Sequence, residues 1–306
     1  MMLMERAVVT PSGHTPCPCC NCAILRPLFT KKARDFWRCR RCGYERVFPA
    51  PTLEELKHYY DRSYRAGLYR DFLLAEESKR LTARARFAQI QGYCRPGRWL
   101  DVGCSNGLMV QVANQAGMQA EGIDLSEVAI LEGRGRSLSL VCSSIEDFHP
   151  PHRFDTITCF DVLEHVLDPV SFLNAVRRLL VPGGTVCISV PDQGSLIRKL
   201  MGRRWYFYIP EEHLHYFNAA NLQQLLRRTL FEPQYWGSAP KVLTYRYAEV
   251  QFHAYNPLLY ALLNMFGRLI PEALLEAPVR LHIGELIAVA RTQNGRLMAG
   301  SIPGHL

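Results

Sequence analysis

Two sets of residues in this 306-residue chain have types and spacings that point to chemistry. The first is Arg98-Trp99-Leu100-Asp101-Val102-Gly103-Cys104-Ser105-Asn106-Gly107, followed by Gly122-Ile123-Asp124-Leu125-Ser126. A short apolar strand runs into a glycine turn, and a second strand ends on an acid 21 positions after Gly103. Glycines at such a turn let the backbone approach a ligand, and the downstream carboxylate can hold two ribose hydroxyls. The turn is Gly-x-x-x-Gly rather than the Gly-x-Gly-x-x-Gly of a pyrophosphate binder. It favours an adenosine cofactor without phosphates, S-adenosylmethionine (SAM) first among them. The second set is six cysteines between positions 17 and 42. Cys17 and Cys20 make one Cys-x-x-Cys, Cys39 and Cys42 another, with 18 residues between. Two such knuckles place four thiolates tetrahedrally around a structural Zn2+. Cys19 and Cys22 form an overlapping alternative pair, but Pro18 inside the first knuckle and Asn21 after it favour Cys17 and Cys20. A redox Cys-x-x-Cys is the competing reading, against which stands a segment too small to fold without metal.

The elements that must position these groups alternate between strand and helix. Strands are expected near 98–102, 119–123, 138–142, 155–160, 184–190, 230–237 and 285–291. A charged amphipathic helix from Glu76 to Gln91 leads into the first of them. Upstream, Thr52 with Glu55 three residues on is a capping box opening a helix that carries Tyr59, Tyr60 and Tyr64. The stretch 256–266 is an apolar helix inside a long connection before the last strand, suited to a lid, a dimer surface or a membrane-proximal patch. The chain divides into a zinc ribbon (1–50), a helical linker and cofactor cover (51–97), a cofactor-binding domain (98–294) with an insertion near 238–283, and a tail (295–306).

Four blocks in register resemble the class I SAM-dependent methyltransferases. They are Leu100–Gly107, against a pattern of roughly L-D-[VIL]-G-C-G-x-G; Gly122–Ser126; Phe154–Pro169, including Leu163-Glu164-His165-Val166; and Leu179–Thr185 with its Pro182-Gly183-Gly184. The chain departs at Ser105, where the pattern has glycine. The cysteine segment with Pro49-Ala50-Pro51-Thr52-Leu53-Glu54-Glu55-Leu56 is similar to a subgroup that joins an N-terminal zinc ribbon to the methyltransferase domain. The implied fold is α/β: a seven-stranded doubly wound, Rossmann-like sheet, its seventh strand antiparallel, with the ribbon before it.

The resemblance also implies roles. Gly103, Ser105 and Gly107 line the methionine side of SAM and Asp101 fixes the loop. Asp124 takes the ribose hydroxyls and Leu125 packs beside the adenine. Ser144 stands where the family often has an acid for the adenine amino group, and Ile145 offers its backbone N–H there. Phe160 ends the fourth strand between cofactor and acceptor. His165 is a candidate base, or a helix cap or core contact. His213, in Glu211-Glu212-His213-Leu214-His215-Tyr216-Phe217, matches the histidine of a His-Leu-x-x-Phe phrase over the active-site mouth. It is a candidate catalytic or acceptor-side residue, or else a contact for the helix 219–228. Tyr60 and Tyr64 either cover the ligand or anchor their helix. Cys94, Cys104, Cys142, Cys159 and Cys187 are expected to be mostly buried as small hydrophobes.

Composition sets the outer bounds. The chain is 48% apolar and 21% charged, ordinary for a globular protein with a real core. No apolar run reaches the ~18 residues of a membrane-spanning helix, and the start lacks a signal-peptide core. Eleven cysteines in such a chain suit a reducing cytoplasm. The net charge is +8, and the first 50 residues hold nine Lys/Arg against three Asp/Glu. The leading expectation is a SAM-dependent methyltransferase acting on a small-molecule or sugar-containing acceptor. An rRNA or tRNA methyltransferase is the second reading, motivated by the basic zinc segment. The fourth strand lacks the Asn/Asp-Pro-Pro-aromatic run of base-amino methylation, carrying Phe160-Asp161-Val162-Leu163 instead. A non-catalytic binding protein of the same fold is the third.

Overall fold

The computed structural model describes residues 16–51, 55, 76–246, 249, 260–261, 264–265, 267 and 269–293. Thr52, Tyr59, Tyr60 and Tyr64, most of the 256–266 stretch and the tail 295–306 lie outside the described residues. Beside the cysteines run β1 (Leu25–Lys31), β2 (Arg34–Cys39) and β3 (Glu45–Phe48). Next come α1 (Glu76–Ile90), β4 (Arg98–Val102), α2 (Leu108–Gln115), β5 (Gln119–Asp124), α3 (Glu127–Arg134) and β6 (Leu140–Cys142). They are followed by β7 (Phe154–Phe160), α4 (Pro169–Leu179) and β8 (Leu180–Pro191). The chain continues through α5 (Leu196–Met201), the two-residue β9 (His215–Tyr216), α6 (Ala219–Arg228) and β10 (Phe231–Ser238). Last are β11 (Lys241–Leu243), α7 (Glu272–Leu275), β12 (Val279–Leu281) and β13 (Glu285–Thr292).

The seven-stranded sheet has the order β10-β13-β8-β7-β4-β5-β6. Strands β4 to β8 are mutually parallel, and β13 is antiparallel to both its neighbours. This is the expected doubly wound fold with its antiparallel seventh strand. The pleat sends alternate side chains to opposite faces, so an unbroken apolar run fills two cores. Leu100, Val186, Ile188 and Leu286 pack with Phe172 and Leu173 of α4 and Leu222 and Leu225 of α6. Trp99, Cys187, Ile287 and Val289 pack on the other face with Phe87 and Ile90 of α1 and Val110 and Ala113 of α2. Helix α4 shows why its segment is helical. The Asp168 side chain accepts from the Val170 N–H at 2.9 Å, Pro169 opens the first turn, and Phe172, Leu173, Val176 and Leu179 form one buried stripe. Losing the Asp168 cap would cost about 1 kcal/mol.

Three details differ from expectation. The third strand begins at Leu140 rather than 138, because Ser137 turns the chain with φ 62°. The fifth begins at Leu180 rather than 184. Phe154 pairs with Leu180 and Thr156 with Thr185, so the Pro182-Gly183-Gly184 turn is a bulge within β8, with Gly183 at φ +71°. Among the later cysteines, Cys104, Cys159 and Cys187 are buried, but Cys94 is only half-buried and Cys142 is exposed. Cys142 is the last residue of β6, and Cys94 stands in the connection between α1 and β4.

The cysteine segment does not stand apart from this sheet. Its strands form a second sheet of order β1-β2-β3-β9, whose last strand comes from the chain after β8. Between β10 and β13, β11 and β12 form an antiparallel pair, and the Val242 N–H donates to Thr82 Oγ1 of α1 at 2.9 Å. The start of the insertion therefore folds back over α1, above the carboxyl ends of the parallel strands.

Candidate functional site

The turn between β4 and α2 is left-handed at Gly103 (φ +73°), Ser105 (φ 49°) and Gly107 (φ +84°). A Cβ at Gly103 would lie 2.4 Å from Val162 Cγ2, so glycine is required there on two counts. Ser105 adopts the conformation of the glycine it replaces, at a cost of about 1–2 kcal/mol. Its N–H donates to Asp124 Oδ2 at 2.8 Å, and the Ser126 N–H donates to Asp124 Oδ1 at 2.8 Å. Asp124 thus clamps the loop through both oxygens; burial pushes its carboxyl up, and these amide bonds pull against that. Gly103 and Cys104 both donate their N–H to the Ile123 carbonyl, at 2.8 and 3.0 Å. Asp101 is buried beneath, accepting from Thr158 Oγ1 at 2.6 Å, while Trp99 Nε1 donates to the same hydroxyl at 3.1 Å. Burial pushes the Asp101 carboxyl up to about 7 against the Thr158 hydrogen bond, with Asp124 adding to the rise.

A cavity of about 240 Å³ opens beside this loop. Its floor is Asp101, Gly103, Cys104, Phe160 and Asp161; α1 supplies Lys79 and Arg86, and β11 closes it with Lys241. Arg86 organises the wall. Its guanidinium donates to Asp161 Oδ2 at 2.9 Å and to Glu285 Oε2, and lies 5.4 Å from the centre of the Phe160 ring. Lys241 Nζ donates to Glu285 Oε1 at 2.9 Å, and Ser189 Oγ donates to Asp161 Oδ1 at 2.7 Å. Burial works against the charge on Arg86, yet Asp161 and Glu285 outweigh it and hold the guanidinium protonated. Two cations and two anions thus neutralise one another at the edge of the cavity.

A second cluster lies where β7 gives way to the Glu164–Val166 turn. Glu164, His165 and His213 bring one ligand atom each within 4.8 Å of the others. The two rings meet edge to face, 4.7 Å apart. His165 Nδ1 donates to the Glu212 carbonyl at 3.0 Å and His213 Nδ1 to the Phe207 carbonyl at 2.9 Å, which puts the lone pair on each Nε2. Glu164 is 1% exposed and its Oε2 has no hydrogen-bond partner. Burial pushes His165 down to about 4 and, with His165 beside it, His213 down to about 3. Burial and nearby Asp161 push the Glu164 carboxyl well up.

The four expected cysteines also converge. Cys17 and Cys42 Sγ lie 3.5 Å apart, Cys20 and Cys39 Sγ 3.5 Å, and all four sulfurs fall within 4.8 Å of one another. Tetrahedral zinc with bonds of about 2.3 Å sets sulfurs about 3.8 Å apart, so the residues fit the ion. Cys22 Sγ instead accepts from the Ile24 N–H at 3.4 Å.

Of the expected cofactor residues, Asp101, Gly103 and Phe160 share the cavity, while Ser105 and Asp124 are bonded beside it and Gly107 caps α2. Leu125 is 72% exposed next to Asp124, and Ile145 is buried in the core. Ser144 Oγ donates to Asp147 Oδ2 at 2.8 Å and accepts from the Asp147 N–H at 3.1 Å. Sequence reasoning assigned no role to Arg86, Lys241, Glu285 or the Glu164 carboxylate. Arg86 falls within the charged helix expected from Glu76 to Gln91, and a glutamate directly before His165 is the one available signal.

A family model described as a methyltransferase domain matches residues 58–234, more than half of the chain. The chain belongs to that methyltransferase family. Its sheet is that of the class I SAM-dependent enzymes. A ubiquinone biosynthesis O-methyltransferase of Thiobacillus denitrificans is 41% identical over 104 residues, 31% of this chain and 45% of that protein. The same-named protein of Alkalilimnicola ehrlichii is 37% identical over 139 residues, 42% of this chain and 56% of that one. The chain thus spans about half the length of the curated relatives it matches. Among solved structures, the 1,6-didemethyltoxoflavin-N1-methyltransferase of Burkholderia thailandensis, bound to 1,6-didemethyltoxoflavin and S-adenosylhomocysteine, has a TM-score of 0.50. It is 20% identical, with 88% of this chain and 100% of that one covered, a likeness of fold. No helix among the described residues is long and apolar enough to cross a membrane.

Proposed function

We propose that this methyltransferase moves the methyl of SAM to a hydroxyl of a small-molecule acceptor. The observation that carries this reading is the cavity of about 240 Å³ at the carboxyl ends of β4 and β7, walled by Gly103 and Phe160 beside the Asp124-clamped turn. The methionine half of SAM fills it, with Arg86 and Lys79 close to its carboxylate. The ribose reaches Asp124, and the exposed Leu125 side chain lies under the adenine. Ser144 is committed to Asp147, which leaves the backbone around Ile145 as the partner of the adenine amino group.

Methyl transfer is mainly alignment of an already activated methyl with the acceptor, plus loss of the acceptor proton. Glu164, His165 and His213 form the acceptor side. Imidazoles held neutral at about 4 and about 3 are weak bases for a hydroxyl, but neutrality is what a cation ligand needs. With a carboxylate that has an unpartnered oxygen beside them, the three fit a divalent cation, which when bound would lower the pKa of the acceptor hydroxyl. Each imidazole is oriented by its Nδ1 bond to a backbone carbonyl, whichever role Nε2 plays. The four N-terminal cysteines hold a structural Zn2+. Calorimetric titration with SAM, then incubation with labelled SAM and polyhydroxylated aromatic acceptors, tests the function. Absence of SAM binding refutes it.

A further inference from the structure

We infer that the four-cysteine module is a positioning element of the acceptor side: Tyr44 and β3 hold the β9 segment, and through it the Glu164–Val166 turn, in place. The inference rests on the proposed acceptor-side role of Glu164, His165 and His213. A module that only recruited a partner would need few bonds to the rest of the methyltransferase domain. This one is sewn into it.

The path starts at the cysteine knuckles. Arg228 Nη1 of α6 donates to the carbonyls of Cys17 and Pro18, at 3.1 and 2.8 Å. Gln193 Nε2 donates to the Gly43 carbonyl at 2.9 Å. Tyr44, two residues after Cys42, accepts the Cys39 N–H on its carbonyl at 2.8 Å, closing the second knuckle. Whatever ties Cys39 and Cys42 together therefore also fixes Tyr44.

From Tyr44 the path crosses to the chain that follows β8, where β9 completes the module's own sheet. The Tyr44 side chain is fully buried, and its hydroxyl is bonded to His215 Nδ1. His215 Nε2 donates to the Val166 carbonyl at 2.8 Å, so Nδ1 accepts from Tyr44 and the tautomer is set. In parallel, β3 pairs with β9, Glu45 opposite Tyr216 and Arg46 opposite His215, and the Val47 N–H donates to the Leu214 carbonyl at 3.0 Å. The β9 segment then holds the turn. The Leu214 and His215 N–H groups both donate to the Glu164 carbonyl, at 2.7 and 3.2 Å. Glu164, which clusters with the two imidazoles, is thus anchored by a segment that the cysteine module pairs. Glu45 adds a second tie, fully buried and accepting from Arg198 Nη2 at 3.0 Å and Tyr208 OH at 2.7 Å. None of these bonds reaches the Gly103–Gly107 turn or Asp124. The module should therefore govern the acceptor side and leave the cofactor side alone.

The test uses the full chain with its metal in place. In wild type, a thiol-competing chelator is added and amide hydrogen exchange is followed residue by residue. Exchange should rise at least about tenfold at Leu214 and His215, and stay unchanged at Gly103, Cys104 and Ser105. Equal acceleration at both sets would show a general fold staple, and no change at either would show an independent module; both overturn the inference. Tyr44→Phe provides a second arm, since it keeps the buried ring and removes the hydroxyl. It should shift the imidazole NMR signals of His215 and His213 while the Kd for SAM stays within about twofold. Unmoved imidazole signals overturn the inference. The exchange and NMR readouts need no acceptor, so their failure is distinguishable from a failure of wild type to bind SAM, which would instead refute the proposed function.

Discussion

Replacing Arg86 with methionine tests the charge network at the cavity most directly. Methionine keeps most of the apolar stem of the buried side chain, so the main loss is the guanidinium: its countercharge to Asp161 and Glu285 and its place over the Phe160 ring. A pair of unit charges about 4 Å apart in surroundings of effective dielectric about 20 interacts with about 4 kcal/mol. Breaking a buried pair from one side costs about 3–5 kcal/mol. Glu285 retains Lys241 at 2.9 Å, and the Asp161 side chain, 42% exposed, can rehydrate, so the loss should fall near the lower end, about 3 kcal/mol. Adding Glu285→Gln removes the charge left stranded, and the double variant should be about 1.5–2 kcal/mol more stable than the sum of the single losses. Urea unfolding followed by circular dichroism, with the midpoint and slope fitted for all four proteins, measures both numbers. A single-variant loss below about 1 kcal/mol, or additivity within about 0.5 kcal/mol, would refute the reasoning. Because Arg86 also holds Asp161 at the cavity wall, SAM affinity should fall in the same variant.

Asp101→Asn should change the pH dependence of stability. Burial raises the folded-state carboxyl to about 7, above the unfolded value near 3.9, so the folded protein holds a proton through that window and loses stability as pH rises across it. The asparagine variant should lack this fall and gain up to about 4 kcal/mol relative to wild type at pH 8, but little at pH 4; parallel stability curves would contradict it. Ser105→Gly relieves a left-handed serine and should raise stability by up to about 1 kcal/mol without altering SAM binding, as thermal unfolding and calorimetry would show. Elemental analysis should find about one zinc per chain, lost in Cys20→Ser and kept in Cys22→Ser; the reverse pattern would assign the ligands to the overlapping pair. His213→Ala should abolish a divalent-cation dependence of methyl transfer while leaving the Kd for SAM unchanged, and retained dependence would place the cation elsewhere.

The cofactor turn was legible because its signals are short-ranged: a β-strand, glycines at left-handed positions and an acid at the end of the next strand. Ser105 shows that the backbone shape outlasts the preferred residue, since its N–H bond to Asp124 offsets part of the strain. The cysteine spacing likewise picked out four thiols that converge. The sequence places the fifth strand near 184–190, whereas β8 begins at Leu180 and bulges around Pro182-Gly183-Gly184, because a bulge depends on the partner strand. Arg86 was invisible as a site residue. On a charged helix it resembles any solvent-facing arginine, and only folding brings it to Glu285, 199 positions away.

What the sequence determined alone is therefore the family fold, the cofactor turn and the thiol cluster, each written in patterns within a few tens of residues. Tertiary structure decided how these parts work together. Tyr44 meets His215 across 171 positions, Lys31 reaches the Tyr208 carbonyl across 177, and β3 finds its partner in β9 rather than standing as an edge. Contacts of that range leave no periodicity or spacing in the chain. They exist because Phe36 and Val47 of the module pack with Trp205, Tyr208 and Tyr216, and the polar groups buried along with them must find hydrogen-bond partners.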